Sequence, residues 1–298
     1  MNFMNIRRIL PVYILTGGCL AFILRFAQNR NGFEKNTGLP VLGSVFMPAL
    51  IILLTVFAVG LIIFSFRIST RTAVDGNTNG NANKNFFPFD SADSRTAYMI
   101  SAAGGCFIAL AGVTDFMESA GIFPSGGSAM RLLNEIGLGA GTLLPISGAL
   151  TFFAGIALIF AAISCKNAYK NANQEQENIN NKNNNIRREL ILIPPVAMVT
   201  RLVAAYRLDS INPVMERYAI ELLALTALSL ACYSLSGLAF GSGRVRNFII
   251  YAGASVILCL CALADGPVWL SSPPLYLGGA LVFTGFLMMD LITPPSRV

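Results

Sequence analysis

The chain has 298 residues and a formal net charge of +6, yet only 12% of it is charged and 54% is hydrophobic. Soluble domains carry roughly 25% charged residues, whereas several separate stretches here run seventeen residues or more without a charge, which excludes a soluble enzyme built around one buried core. The basic residues sit singly or in pairs at the ends of apolar runs, a pattern that writes membrane topology and argues against a nucleic-acid partner.

Arg7 and Arg8 lead into a first span over residues 9–27. That run is long for a secretory signal and no small-residue cleavage pattern follows it, so a retained helix is expected. Leu15-Thr-Gly-Gly-Cys19 does not make a lipoprotein cleavage site, because the chain stays apolar beyond it. A polar loop, residues 28–38, precedes a second span at 45–66, with Pro48 in the first turn, where proline is tolerated. Residues 67–95 form a loop whose Asn-rich portion, 75–85, has nothing to bury.

The third span runs from Tyr98 to Asp115: seventeen uncharged residues closed by a carboxylate, about the shortest run that crosses a hydrocarbon core. A Gly- and Ser-rich loop (121–128) leads to a short interfacial helix at 129–136 and a fourth span at 137–165, long enough to tilt. Residues 171–185, almost all Asn, Gln and Glu, read as a flexible linker. The fifth span, 190–206, is the weakest, since it contains Pro194, Pro195 and Arg201. The sixth covers 219–240 and the seventh 248–264; Asp265-Gly266-Pro267 makes a turn; the eighth covers 275–292 until Pro294 and Pro295 stop it. The expected fold is therefore all-α: a polytopic integral membrane protein of about eight transmembrane helices.

Charge sets the expected orientation. With both termini in the cytoplasm, fourteen of the twenty-one Lys and Arg residues fall in inner segments and six in outer ones, with Arg201 inside a span. Removing the fifth span would move Arg244, Arg246 and Arg297 to the wrong sides. The implied location is a cell membrane of the bacterial inner-membrane kind, with the lipid bilayer as the first partner.

Spans three and seven hint at a duplication. They lie 150 residues apart, and Ala102, Leu110 and Asp115 recur as Ala252, Leu260 and Asp265. Pro40-Val41 before span two matches Pro213-Val214 before span six, and Gly148-Ala149-Leu150 in span four matches Gly279-Ala280-Leu281 in span eight. The implied organisation is two tandem four-helix units, 1–170 and 188–298, joined by a cytoplasmic linker at 171–187. Four spans per unit would keep both units in parallel orientation about an axis along the membrane normal.

Ionisable groups inside spans are costly enough to point to function. Arg201 in span five and Glu221 in span six enter from the same outer side to similar depth, so a buried ion pair is the expected geometry, serving either as a structural clamp or as a substrate or proton-coupling site. Asp115 and Asp265 close their spans at the outer surface, where a carboxylate opposes the helix dipole; turn formation or a paired site is expected of them. Arg25, Arg207 and Arg217 gather near the same face as snorkelling anchors or as an anion-attracting vestibule. Gly104-Gly105, the glycines of 137–141 and Gly278-Gly279 permit close helix approach, and none forms a phosphate loop.

The six cysteines lie in or at the ends of apolar runs and are expected to be small buried hydrophobes. With no histidine in the chain, the commonest general base and metal ligand are missing, so no enzyme activity, metal or cofactor is expected. The expected function is that of a transporter or permease for a small anionic or zwitterionic molecule. The alternative is a non-catalytic membrane scaffold, sensor or partner subunit, working with a membrane protein partner or as a homo-oligomer.

Overall fold

In the computed structural model, the described residues are 3–34, 41, 44–75, 95–120, 122, 140–171, 189–209, 215–240, 243–265 and 272–292; at several helix ends only the backbone is described. They form eight α-helices: α1 (Phe3–Asn31), α2 (Phe46–Asp75), α3 (Arg95–Ser119), α4 (Ala140–Asn171), α5 (Ile193–Asp209), α6 (Met215–Ala239), α7 (Val245–Ala262) and α8 (Ser272–Ile292). A short 3-10 turn, Leu263–Asp265, ends α7. The protein is an all-helical, multi-pass membrane protein. Seven helices are long and apolar enough to cross a membrane. The exception is α5: its 17 residues reach about 25 Å, just under a hydrocarbon core of about 30 Å. Pro194 and Pro195 fall in its first turn, where the missing N–H groups cost nothing. The short interfacial helix expected at 129–136 and the Asn-rich segments lie outside the described residues.

Alternation of direction is visible in the side-chain register. Gly104 of α3 lies against Gly278 and Val282 of α8, while Gly285 lies against Ala97 and Ser101, so these helices are antiparallel. Ile14 meets Gly253, Gly18 meets Leu260 and Arg25 meets Asp265, so α1 and α7 run parallel. Ser65 of α2 donates to the Arg246 carbonyl at the start of α7, which makes that pair antiparallel. Gly279 of α8 meets Leu228 of α6, and Tyr276 meets Glu221, so these two run parallel. In consequence α1, α3 and α7 finish at the end of the bundle where α2, α4, α6 and α8 begin, and α5 must run toward that end to join α4 to α6.

α3 is placed by glycines on two of its faces. Toward α4, Gly105 and Gly112 are seven residues apart, as are Gly148 and Gly155, and the two sets interlock. A Cβ at Gly112 would stand 2.4 Å from the Phe152 nitrogen, and one at Gly155 would stand 2.4 Å from the Ala109 nitrogen. Toward α8, a Cβ at Gly104 would lie 2.5 Å from the Val282 nitrogen. Small residues let backbones touch where no hydrophobic force separates protein from lipid. Gly112, Gly148 and Gly155 carry as much of this packing as Gly104, Gly105 and Gly278, which the sequence singled out.

Helices of the two halves are extensively packed together: α1 and α2 lie on α7, α3 lies on α8, and α4 lies on α5. The centre is α8, 72% of whose apolar stretch is buried, with Phe283 and Phe286 fully enclosed and Phe248 of α7 beside Phe283. At the other extreme is α2, with 17% buried; Ile51, Ile52, Val56, Val59, Ile62 and Ile63 all point outward. An outer surface of that kind suits acyl chains and no aqueous environment. The cysteines divide the same way. Cys232, Cys259 and Cys261 are buried as expected, but Cys19 and Cys106 are exposed on the outer face, because α1 and α3 turn their glycines, not those thiols, toward their neighbours.

Two ionic clusters at one end of the bundle

Among the described residues, the buried charged side chains lie toward the end where α1, α3, α5 and α7 finish. Counted along each helix at about 1.5 Å per residue, Arg25, Asp115, Arg201, Glu221 and Tyr276 lie roughly 6–12 Å inside it. The side chains divide into two groups.

In the first, Arg25 is fully buried and its Nε donates to Asp265 Oδ1 at 2.5 Å. Gln28, one turn on, accepts from Arg25 Nη1 at 3.0 Å, and its own amide lies 3.6 Å from the Met47 sulfur of α2. Asn29 donates to the Ala264 carbonyl at 2.9 Å and to Asp265 Oδ1 at 3.0 Å. The spacing 25, 28, 29 puts these three on one face of α1, against the turn that ends α7. Arg25 is therefore neither a snorkelling anchor nor part of a vestibule. It is sequestered because Asp265 and two amides supply partners inside the protein. Asp265 does end its helix, as a turn residue should, and in addition binds Arg25.

In the second group, Arg201 of α5 pairs through Nη1 with Asp115 Oδ2 of α3, both side chains being buried. Glu221 of α6 accepts a hydrogen bond of 2.8 Å from the Tyr276 hydroxyl of α8. Arg201 also feels the charge of Glu221 and lies close to Tyr276, so four helices contribute to one cluster. Arg201 and Glu221 are neighbours at matching depth, but the expected direct pair is replaced: the guanidinium bonds Asp115. The reason lies in α3 and α4. α3 continues to Ser119, which leaves Asp115 a turn inside the helix and fully buried, and a Cβ at Gly148 would stand only 2.9 Å from the Asp115 Cβ. Glycine at 148 makes the room in which the carboxylate reaches α5. The second oxygen of Asp115, Oδ1, is buried and takes no hydrogen bond among the described residues, and the same holds for the Ser147 hydroxyl, next to Gly148 on α4.

Arg207 is exposed near the end of α5, and the side chain of Arg217 lies outside the described residues. Tyr276, Gln28 and Asn29 are the members that sequence reasoning missed. A tyrosine beginning a span reads as a membrane-interface anchor, and Gln28 and Asn29 read as the start of a loop. The helical spacing from Arg25 was the available signal for the two amides. Among the described residues, no group of three His, Cys, Asp or Glu side chains is arranged to hold a metal ion. No protein-family model matches the chain, and neither a curated protein nor a solved structure matches it.

Proposed function

We infer that the chain is a membrane transporter or permease for a small molecule, and that its working site is the cluster of Arg201, Asp115, Glu221 and Tyr276. The observation that carries this reading is the convergence of four helices on buried ionisable groups of both signs, with Asp115 Oδ1 left without a hydrogen bond. Ionisable side chains deep in a membrane bundle cost free energy, and proteins keep them where a solute or ion passes. The composition of the cluster refines the solute. Groups of both signs meet here, with Arg201 bonded to Asp115 and Glu221 alongside, so the site suits a molecule that itself carries both signs, a zwitterion in preference to a simple anion. The ammonium would be received by Asp115 and the Glu221 side, and a carboxylate by Arg201. Both termini are proposed to be cytoplasmic, which places the clustered end outward. A reporter fused within residues 171–185 should then report from the cytoplasm.

The closed pairing of both arginines favours the second reading, a non-catalytic scaffold or partner subunit in which the clusters are clamps. One comparison decides. In proteoliposomes screened with a panel of amino acids and small amines, wild-type uptake should be saturable. Replacing Arg201 and Asp115 together, by Met and Asn, should abolish uptake while leaving folded abundance close to wild type. Uptake that survives the double replacement would leave the cluster a clamp.

A further inference from the structure

At the end of the bundle opposite the ionic clusters, the apolar part of α2 finishes at Arg67, beside the start of α7. The Ser65 hydroxyl donates to the Arg246 carbonyl at 2.9 Å, and the Arg246 guanidinium lies over the Phe66 ring, 3.7 Å from its centroid. The two helices are antiparallel, so two residues forward along α2 match two residues back along α7. Arg67 and Arg244 therefore stand at one level, about 3 Å beyond Arg246, and both are exposed. Among the described residues none of the three arginines forms an ion pair, and Arg246 Nε finds no hydrogen-bond acceptor.

Membrane topology asks only that positive charge stay on one side. It does not ask that a guanidinium be laid flat on a phenylalanine. Stacking occupies the face of the guanidinium and leaves the Nη donors at its edge for an oxyanion, the fork that matches a phosphate. Arg244 caps α7 without a side-chain hydrogen bond, so the positive end of that helix dipole lies at the same place. From this level toward the middle of the bundle, Val59, Ile62, Ile63 and Phe66 form an exposed stripe on one face of α2. Guanidiniums at the end of an apolar stripe fit a molecule with an anionic head and acyl tails.

We propose that the adjoining ends of α2 and α7 bind an anionic phospholipid, its phosphate held by Arg246 with Arg67 and Arg244 and its acyl chains on the outer face of α2. A soluble phosphate shares the head chemistry but has nothing to lay on the stripe. A phosphate shared between Arg67 and Arg246 would also tie α2, the helix least enclosed by protein, to the bundle. The site is independent of the transporter reading.

Native mass spectrometry of the full-length protein in a neutral detergent tests it. The protein is titrated separately with phosphatidylglycerol and phosphatidylcholine of the same acyl chains. The wild type should bind phosphatidylglycerol more tightly. Arg67→Gln, Arg244→Gln and Arg246→Gln should each weaken it about fivefold, and all three together on the order of a hundredfold. Phe66→Leu keeps every charge and removes the stacking partner, and should weaken it about two- to fivefold. Arg30→Gln removes an exposed arginine that lies over Phe26 at the opposite end, and should leave binding unchanged. Arg67 and Arg244 are exposed, so their single variants test the site even where the triple variant fails to fold. Equal binding of the two lipids by the wild type overturns the proposal. So does a loss in Arg30→Gln as large as in the other variants, which would reduce the preference to net charge. Displacement of phosphatidylglycerol by inorganic phosphate would make this a site for soluble anions and overturn it equally.

Discussion

The two ionic clusters share a design and differ in the company their arginines keep. Each pairs an arginine with an aspartate across two helices that end on the same side, Arg25 with Asp265 and Arg201 with Asp115. The two aspartates are the residues that align at the 150-residue offset, and each takes an arginine from the other half of the chain. Around Arg25 and Asp265 the further partners among the described residues are neutral amides, Gln28 and Asn29. Around Arg201 the further partners are a second acid and a phenol. The Arg25 cluster ties α1 to the turn that ends α7. The cluster around Arg201 instead joins four helices, α3, α5, α6 and α8.

The largest effects should come from breaking either pair. Removing one member leaves a buried charge without its counter-charge, a loss of about 3–5 kcal/mol. Arg25→Met and Arg201→Met should therefore both collapse the folded fraction, read as monodisperse protein recovered from membranes. The second replacement separates the clusters. Arg25→Met with Asp265→Asn should recover abundance and uptake together, whereas Arg201→Met with Asp115→Asn should recover abundance alone. Equal recovery of uptake in both doubles would erase the distinction.

An intermediate effect probes how Asp115 is carried to Arg201. Gly112→Ala puts a Cβ against the Phe152 nitrogen and the Gly148 carbonyl, both backbone atoms that cannot swing aside. Overpacking of this kind costs about 1–3 kcal/mol. It should also push α3 away from α4 at the level of Asp115, reducing uptake more than the loss of protein accounts for. Gly17→Ala is the control. The atoms nearest its Cβ would be those of the Phe57 ring, a side chain and not backbone, so abundance and uptake should fall together and by less.

These glycine contacts mark where legibility in the sequence stopped. Hydrophobic run length gave seven of the helices, because crossing a membrane demands it; the distribution of flanking charge supported α5, and counting along each helix gave the depths of Arg201 and Glu221. Depth says nothing about lateral neighbours. Arg201 could be matched to the acid at its own level on the next helix, Glu221, but not to Asp115, two helices back in the chain. That partner depends on Gly105, Gly112, Gly148 and Gly155 drawing α3 and α4 together, and on α4 lying against α5. Arg25 and Asp265 are separated by 240 residues, and only the parallel packing of α1 on α7 brings them together. Small residues on several faces of a span do not declare which face meets which helix.

The smallest effect is the most discriminating. Tyr276→Phe removes one hydroxyl from a buried site and leaves the ring and its packing in place, so what is lost is the hydrogen bond to Glu221 Oε1. Such a bond to a neutral acid contributes about 0.5–1.5 kcal/mol, and one to a charged carboxylate about 1.5–3 kcal/mol. Tyr276→Phe should therefore lower stability by about 0.5–3 kcal/mol, read by thermal unfolding of both proteins in the same vesicles. In a Glu221→Met background, which has no oxygen to accept the bond, the same replacement should cost nothing. An equal loss in both backgrounds would mean that the hydroxyl acts elsewhere than on Glu221.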